Sequence, residues 1–398
     1  MPVNFKDTKG LFEYVRNYNP GNILTLKEIL KNYSFDSISI EDLIKLLYKD
    51  KNTFLIDCRT EKEFEETHIP FSINFPILTN EERHNTGLIY NKYSQKAAFQ
   101  LAVEYAEPKI NKLKLLLEKN FAKDKNIIIY CWRGGGRSKY TAKILIDLGH
   151  NVKVLIGGIK SYRNIVYNEF YLNNYFNNLI EISGLTGTGK TEIIESLLNI
   201  IPTINLEKAA RHYSSLFGTI PYTIRKIKKV KNQSCFENNL YSQILFNRYF
   251  FPDKNIWVIE SESRKVGDFY IPQKIYDKMK ICPTIKIESN IDNRVNRIKK
   301  DYFGESNEGY DLMFQTFSDK IRYFKKEMSS KIYNDLLFLL KKEKINDFIE
   351  GMLINFYDKR YKEKDKKPIA IINSDDIIFS KHEILKIYNS ERILEFRS

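Results

Sequence analysis

One cysteine, two arginines and three glycines fall within the seven residues from Cys131 to Arg137. Glycines leave the backbone free to curve around the sulfur, so that loop N–H groups point at it. These dipoles, the start of a following helix and the charges of Arg133 and Arg137 all favour a thiolate over a thiol. Arginine also binds oxyanions through two parallel hydrogen bonds. The pattern predicts a reactive Cys131 in an anion cradle; a structural cysteine beside a tight turn is the alternative.

The spacing of five residues between Cys131 and Arg137 occurs in two kinds of enzyme. One is the CX5R phosphatases, and the other is the rhodanese-like carriers of sulfur or selenium. The cysteine alone does not separate them. The residues expected to bind the anion are Arg133, Gly134, Gly135, Gly136, Arg137 and Ser138.

A second anion-binding pattern begins at Gly184, where the sequence GLTGTGKT satisfies GxxxxGK[ST] in full. Loop N–H groups of this motif surround a diphosphate, Lys190 neutralises its outer oxygens, and Thr191 is placed to hold Mg²⁺. The motif needs a strand before it and a helix after it, and the flanking residues fit both. The residues expected to bind the diphosphate are Gly184, Thr186, Gly187, Thr188, Gly189, Lys190 and Thr191.

The acidic residue that accompanies such a loop is usually an aspartate at the end of a neighbouring strand. Here the predicted strand Ile256–Ile259 runs into the glutamates Glu260 and Glu262, which depart from that pattern and argue against ordinary Mg-ATP hydrolysis. Glu260 either holds a metal-bound water or bonds to nearby backbone, and the sequence leaves both open. Further accessory candidates are Arg264, Arg211, Asp57 and Arg59. The cysteines form no CxxC pair, so the sequence does not indicate a dedicated metal site.

The elements that position these residues alternate strand and helix, which predicts an α/β protein with parallel sheets. A strand over Ile127–Tyr130 leads into the cysteine loop, and we expect Ser138 to cap the helix that follows. We divide the chain into an accessory segment (1–36), a rhodanese-like domain (37–168) and a P-loop domain with a helical, basic C-terminal region (169–398). Residues 81–110 form a longer segment than a minimal first domain requires, and we interpret this segment as an insertion.

The charge balance favours a polyanionic partner such as RNA, because Lys and Arg outnumber Asp and Glu by 64 to 50. Basic runs begin at Arg225, Arg294 and Lys359. The aromatics Tyr222, Tyr302 and Phe303 lie near the first two and would suit an unstacked base. Four cysteines without a paired pattern, and no apolar run long enough to span a bilayer, predict a cytoplasmic protein without a membrane partner.

The first predicted domain resembles a rhodanese domain in Asp57, Arg59, the Glu63–Phe64 pair and the HIP sequence at His68. A rhodanese-like domain joined to a P-loop domain is similar to the bacterial tRNA 2-selenouridine synthases. Blocks typical of that family are Asn205–Gly218, Gln233–Leu240, Trp257–Gly267 and Phe356–Tyr361. The resemblance covers nearly everything from about Ser37 onward.

This resemblance implies an enzyme that replaces the sulfur of 2-thiouridine at the tRNA wobble position by selenium from selenophosphate. The intermediate would be an S-geranyl nucleoside made from geranyl diphosphate. Cys131 would carry selenium, its loop would hold the phosphate of selenophosphate, and the loop at Lys190 would hold geranyl diphosphate rather than ATP. No tightly bound cofactor is implied beyond Mg²⁺ as a candidate. The partners implied are tRNA and, as a candidate, the enzyme that supplies selenophosphate.

Two other interpretations stay open at this point. The chain could be a CX5R phosphatase fused to a kinase-like P-loop domain, although no general-acid aspartate stands out in the sequence. It could also be a non-catalytic RNA-binding protein that keeps both loops as scaffolds. The sequence leaves the oligomeric state and the choice of tRNA undetermined.

Overall fold

A computed structural model describes residues 5, 7–18, 23, 25–50, 52–120, 126–173, 176–360 and 366–390, without the side chains of 116–120. The chain divides into two compact units, Met1–Tyr167 and Asn168–Ser398. Each unit contains its own five-stranded parallel sheet, so the predicted α/β class is confirmed. No helix among the described residues is long and apolar enough to cross a membrane.

The sheet of the first unit has the strand order β1-β5-β4-β2-β3. Its strands are β1 (Asp36–Ile38), β2 (Thr53–Asp57), β3 (Ile73–Asn74), β4 (Asn126–Tyr130) and β5 (Val152–Leu155). The central strand β4 is buried from Ile127 to Tyr130, because helices cover a parallel sheet on both faces. Strands β2 and β4 both end at the carboxyl edge of the sheet, where Asp57 lies opposite Tyr130.

Helices surround this sheet in the first unit. They are α1 (Thr8–Arg16), α2 (Leu26–Ile29), α3 (Ile40–Lys49), α4 (Glu61–Glu66), α5 (Asn80–Lys92), α6 (Gln95–Ala106), α7 (Ile110–Asn120), α8 (Gly136–Asp147) and α9 (Gly158–Tyr167). Helix α3 begins after Ser39, whose side chain accepts from the N–H of Asp42 and so satisfies one terminal donor.

The N-terminal segment packs into the core of the first unit. Leu11 and Val15 of α1 are each 1% exposed and join the same hydrophobic cluster as Ile127 and Ile129 of β4. The Tyr14 and Tyr18 hydroxyls donate to Glu104 of α6 at 3.0 and 2.7 Å. The described part of residues 1–36, to which the sequence assigned no role, is therefore joined to this unit by packing and hydrogen bonds.

The second unit has a parallel sheet of order β12-β11-β6-β8-β7 and a separate antiparallel pair, β9 with β10. Its strands are β6 (Asn178–Ser183), β7 (Thr203–Ile204), β8 (Ile256–Glu260), β9 (Lys265–Val266), β10 (Phe269–Tyr270), β11 (Thr284–Glu288) and β12 (Ala370–Asn373). The neighbouring strands β6 and β8 end at the same edge, where ligands of open α/β sheets usually bind.

Helices of the second unit fall into those that pack on the sheet and a C-terminal group with its own aromatic core. They are α10 (Lys190–Leu197), α11 (Leu206–Ala210), α12 (Ile220–Ile224), α13 (Gln233–Phe250), α14 (Gln273–Ile281), α15 (Ile291–Phe303), α16 (Tyr310–Asp319), α17 (Ile321–Glu327), α18 (Ser330–Lys341), α19 (Ile345–Met352), α20 (Asp358–Arg360) and α21 (Ile377–Tyr388). Phe317, Phe324 and Phe348 lie in the core of the C-terminal group.

The aromatics predicted to stack on RNA bases lie in these cores instead. Tyr222 and Tyr302 are 7% and 8% exposed, and Phe303 is fully buried. The prediction for these three rings was wrong, because all three are buried, and Tyr302 and Phe303 fall on the inward face of the amphipathic helix α15.

Candidate active sites

The cysteine loop connects strand β4 to helix α8 at the carboxyl edge of the first sheet. Cys131 is 4% exposed and follows the last strand residue directly. Gly134 has φ 70°, and a Cβ there would lie 2.6 Å from the carbonyl oxygen of Leu155. A Cβ at Gly158 would lie 2.3 Å from the carbonyl oxygen of Cys131. Glycine is required at both positions because the loop packs directly against the end of β5.

Ser138 faces the sulfur of Cys131 and does not cap the helix. Helix α8 begins at Gly136 after Gly135, so Ser138 lies within its first turn, and the predicted cap was wrong. The Ser138 hydroxyl lies 3.3 Å from Sγ of Cys131 and 3.1 Å from the carbonyl oxygen of Gly135. The hydroxyl is therefore placed to donate to a thiolate.

The environment of Cys131 favours its ionised form. Burial alone raises the pKa of this thiol. The Ser138 hydroxyl and N–H, the charge of Arg137 and the N–H of Arg133 outweigh burial and lower the pKa below its ordinary value. Cys58 shows the opposite balance, because complete burial raises the pKa of its thiol well above the ordinary value. Of these two cysteines in the first unit, only Cys131 is thus suited to react as a nucleophile.

The two arginines of the loop differ in their surroundings. Arg137 is bound to Glu63 of α4, with Nη1 at 2.5 Å from Oε2 and Nη2 at 3.1 Å from Oε1. Arg83 of α5 approaches the same carboxylate at 3.3 Å. Arg133 is exposed and lines a cavity that opens beside Cys131. Arg137 also lines this cavity, and Arg133 is the more exposed of the two to an incoming anion.

The cavity beside Cys131 has a volume of about 1020 Å³. Its walls come from the segment 25–27, from α5 and α6, and from the cysteine loop with the start of α8. Apolar side chains dominate the lining, among them Leu26, Leu78, Phe99, Val103, Trp132 and Tyr140. Sequence reasoning missed this cavity, because helices far apart in the chain form it.

Asp57 and Arg59 form a buried ion pair beneath the site. Nη2 of Arg59 lies 2.6 Å from Oδ2 of Asp57 and also donates to the carbonyl oxygen of Thr67 at 2.5 Å. Both side chains are buried, and neither lines the cavity in the described part of the first unit. This pair ties the end of β2 to the segment after α4, and an accessory role of the two residues in the chemistry stays a prediction.

The phosphate-binding loop of the second unit connects β6 to α10. Gly187 and Gly189 have φ of 80° and 84°, and Thr188 between them is 1% exposed. Nζ of Lys190 donates to the carbonyl oxygens of Gly184 and Leu185 at 2.8 and 3.0 Å. Burial lowers the pKa of Lys190, and nearby carboxylates oppose this shift. The residues predicted to hold a diphosphate thus lie together in the loop from Gly184 to Gly189 and in the first turn of α10, with the Lys190 ammonium inside the loop.

Three glutamates meet beside this loop: Glu207, Glu260 and Glu262, with carboxylate oxygens within 4.8 Å of one another. The Thr191 hydroxyl donates to Glu207 at 2.9 Å, and the N–H of Glu207 donates to Glu260 at 2.7 Å. Burial raises the pKa of Glu207, and burial with the other two carboxylates raises that of Glu260 well above its ordinary value. Crowded carboxylates of this kind, beside a hydroxyl, suit a divalent cation such as Mg²⁺.

Glu260 and Glu262 lie at and just after the strand end, where the sequence predicted acidic residues, whereas Glu207 was not assigned. Glu207 is 16 residues from Thr191 in the chain and reaches it only through the fold. A cavity of about 250 Å³ at the loop is lined by Lys190, Thr191, Glu207, Glu262 and Arg297, among others. Arg297 was also missed; it pairs with Glu192 at 3.1 Å.

Two other accessory candidates lie outside this lining in the described structure. Arg264 donates to the carbonyl oxygen of Ile271 and to Gln273, and its guanidinium lies 5.1 Å from the ring centre of Tyr276. Arg211 adopts φ 49° at the end of α11 and donates to the carbonyl oxygen of Lys228 at 2.9 Å. Neither arginine is among the described residues that line this cavity, and their accessory roles stay predictions.

The basic runs are only partly surface features. Arg294, from the second run, is 5% exposed, pairs with Asp358 at 2.6 Å and donates to the carbonyl oxygen of Thr186 at 2.8 Å. Arg225, from the first run, pairs with Asp301 at 2.6 Å. Residues 361–365 of the third run lie outside the described residues.

Comparison with known proteins assigns the family. A model described as the tRNA 2-selenouridine synthase AAA domain matches residues 177–383, and a rhodanese-like domain model matches residues 39–165. The chain belongs to the tRNA 2-selenouridine synthase family. The two matches contain the P-loop with its glutamates and the Cys131 loop, respectively. The predicted pairing of a rhodanese-like module with a P-loop module is thereby confirmed.

Relatives in this family align over most of their length. The tRNA 2-selenouridine synthase of Pseudomonas syringae pv. tomato is 29% identical over 329 residues, 77% of this chain and 87% of the relative. That of Bdellovibrio bacteriovorus is 30% identical over 274 residues, 68% and 70% of the two chains. Among solved structures, the N-terminal domain of a putative ATP/GTP binding protein from Clostridium difficile 630 is 39% identical. It covers 33% of this chain and 98% of its own, with a TM-score of 0.30.

Proposed function

We propose that this chain is an enzyme that replaces the sulfur of 2-thiouridine at the wobble position of tRNA by selenium. Family membership supports this proposal, and one structural observation carries it. Cys131, with a lowered pKa, lies in a loop of N–H donors at a cavity too large for a simple inorganic anion. A thiolate in such a position is a soft nucleophile suited to selenium chemistry.

The first half-reaction would be geranylation of the nucleoside. The thiouridine sulfur attacks C1 of geranyl diphosphate, the C–O bond breaks, diphosphate leaves with the electron pair, and N3 loses its proton. Negative charge grows on the diphosphate, and aligned N–H groups with a cation stabilise it. Lys190 and the loop from Gly184 to Thr191 supply these groups in the second unit.

A divalent cation would add to this stabilisation. Glu207, Glu260, Glu262 and the Thr191 hydroxyl would hold Mg²⁺, and the crowding of the three carboxylates supports this assignment. When bound, the ion would neutralise charge on the diphosphate. In the structure, Lys190 donates to two carbonyl oxygens of its own loop, and the oxygens of a diphosphate would replace those two acceptors.

The second half-reaction would exchange sulfur for selenium at C2 of the nucleoside. Selenophosphate supplies the selenium, geranyl leaves as its thiol, and hydrolysis of the Se–P bond gives phosphate. In the first unit, the Cys131 thiolate attacks C2 and displaces geranyl thiolate. The selenium of selenophosphate then attacks C2 and expels the Cys131 thiolate, and water cleaves the Se–P bond. Arg133 and the loop N–H groups hold the phosphate, and the Ser138 hydroxyl stabilises the thiolate.

Nucleoside analysis tests the proposal. The purified chain is incubated with tRNA that contains 2-thiouridine, with selenophosphate, geranyl diphosphate and Mg²⁺, and nucleosides are quantified by liquid chromatography and mass spectrometry. We expect 2-selenouridine, formed only when all substrates are present. Unchanged tRNA would contradict the proposal and favour a non-catalytic RNA-binding protein. Release of phosphate from an aryl phosphate, without nucleoside change, would favour the phosphatase.

A further inference from the structure

The cavity beside Cys131 is larger than selenophosphate requires. Selenophosphate has five heavy atoms, whereas a cavity of about 150 Å³ already holds benzene with six. The cavity volume of about 1020 Å³ therefore leaves most of the space unoccupied by selenophosphate. A ten-carbon chain needs about 250 Å³ on the same scale. Such a chain and a nucleoside would both fit.

The lining identifies the chemistry of the missing occupant. Phe99, Ala102 and Val103 of α6 line one wall, and Trp132 with Tyr140 lines the side of the cysteine loop. Lys27, Lys96, Arg83, Arg133 and Arg137 also line the cavity, and no Asp or Glu is among the described lining residues. An apolar interior with cations suits an apolar group that is attached to an anionic carrier such as RNA.

The second unit does not offer comparable apolar space in its described part. The cavity at the phosphate-binding loop measures about 250 Å³ and is lined by charged groups such as Lys190 and Glu207. A neighbouring apolar cavity, which includes Thr186 and Met352, measures only about 30 Å³. That volume holds about one water molecule. Among these three cavities, only that of the first unit combines an apolar lining with room for both a ten-carbon chain and a nucleoside.

We infer that the cavity beside Cys131 is a binding site for the apolar group on the sulfur of the modified nucleoside, with α5 and α6 as its walls. This inference rests on the proposed function and extends it. It gives residues 81–110, interpreted from the sequence as an insertion, a role in substrate choice. The apolar group places the C2 carbon of the nucleoside near Sγ of Cys131, and the cavity retains this group as it departs on sulfur.

Filling the cavity tests the inference without changing the reacting groups. Val103→Trp adds an indole to the α6 wall, and His84→Trp adds the same side chain at an exposed position of α5 that does not line the cavity. Three anticodon stem-loop RNAs serve as probes, with 2-thiouridine, S-methyl-2-thiouridine or S-geranyl-2-thiouridine at the wobble position. Dissociation constants and single-turnover rates of selenium incorporation are measured with the full chain.

We expect the native chain to bind the S-geranyl RNA about tenfold or more tightly than the S-methyl RNA, since burial of each methylene contributes to affinity. Val103→Trp should remove this preference, whereas His84→Trp should retain it. Equal affinity of the native chain for both RNAs would overturn the inference. A preference that Val103→Trp retains would also overturn it.

The dissociation constants distinguish failure of this inference from failure of the proposed function. If the native chain makes no 2-selenouridine but prefers S-geranyl RNA through Val103, the cavity assignment stands and the reaction assignment fails. If 2-selenouridine forms and the length of the S-alkyl group has no effect in either assay, the reaction stands and the cavity assignment fails.

Discussion

The guanidinium of Arg137 donates two hydrogen bonds to the carboxylate of Glu63, at 2.5 and 3.1 Å. This pairing fixes the arginine beside Cys131, where its charge lowers the pKa of the thiol. Glu63 is also part of the capping box of α4, since it accepts from the N–H of Thr60 at 3.1 Å. Arg137 is therefore a positioned charge, and its predicted contact with selenophosphate stays a prediction.

Replacing Arg137 should make Cys131 less acidic. Arg137→Gln removes a charge that lowers the pKa of Cys131, so that pKa should rise and the thiolate should form only at higher pH. The pH dependence of alkylation of Cys131 by iodoacetamide, followed by mass spectrometry, measures the shift. Arg133→Gln is the matched control, because Arg133 acts on the thiol through its backbone N–H. An equal midpoint pH of Cys131 alkylation in both variants would contradict this account.

Breaking the buried pair of Asp57 and Arg59 should destabilise the first unit. Arg59→Met leaves the Asp57 carboxylate buried without its cation, which costs about 3–5 kcal/mol. Urea denaturation measures the loss. Lys45→Ala, from the exposed pair with Asp42, should cost less than about 1 kcal/mol. A change of the same size in both variants would show that the buried pair has no special structural role.

Geranylation should depend on a divalent cation held by the glutamate group. Chelation of Mg²⁺ should stop formation of S-geranyl-2-thiouridine, and Glu207→Gln should raise the Mg²⁺ concentration needed for half-maximal rate, about tenfold or more. Glu195→Gln, an exposed residue of α10, is the control. Full geranylation in the presence of chelator would remove the metal from the mechanism.

RNA binding should involve the first basic run without Arg225, since that residue pairs with Asp301. Lys226, Lys228 and Lys229 are exposed. Replacing all three by Gln should weaken tRNA binding and reduce the log-log salt slope by roughly one for each lost contact. The same change at Lys341, Lys342 and Lys344 is the control. An unchanged slope would make the first run an ordinary solvated surface.

The features that depend on the local spacing of residues were predicted correctly from the sequence. The Cys131 loop and the loop at Lys190 are each continuous in the chain, and the residues before and after them form the expected strand and helix. Pairings across the fold were missed for a physical reason. Glu63 meets Arg137 across 74 residues, and Glu207 meets Thr191 across 16. No local pattern records such contacts.

Some charged and aromatic residues that were predicted to lie at the surface are buried in the fold. Arg294 belongs to a basic run, yet it is buried with Asp358 against the phosphate-binding loop. Tyr302 lies in the same helix and turns inward. The wall of the cavity beside Cys131 was unpredictable for a related reason. Leu26 belongs to a segment without clear periodicity and reaches the cavity only through packing.

The central claim is that the two units carry separate half-reactions, one at Lys190 and one at Cys131. The most direct measurement supplies Lys190→Ala and Cys131→Ser each with 2-thiouridine tRNA and with S-geranyl-2-thiouridine tRNA, and quantifies the three nucleosides by mass spectrometry. We predict that Lys190→Ala fails to geranylate but converts geranylated tRNA to 2-selenouridine, and that Cys131→Ser accumulates the geranylated nucleoside. Equal loss of both steps in both variants would contradict the account.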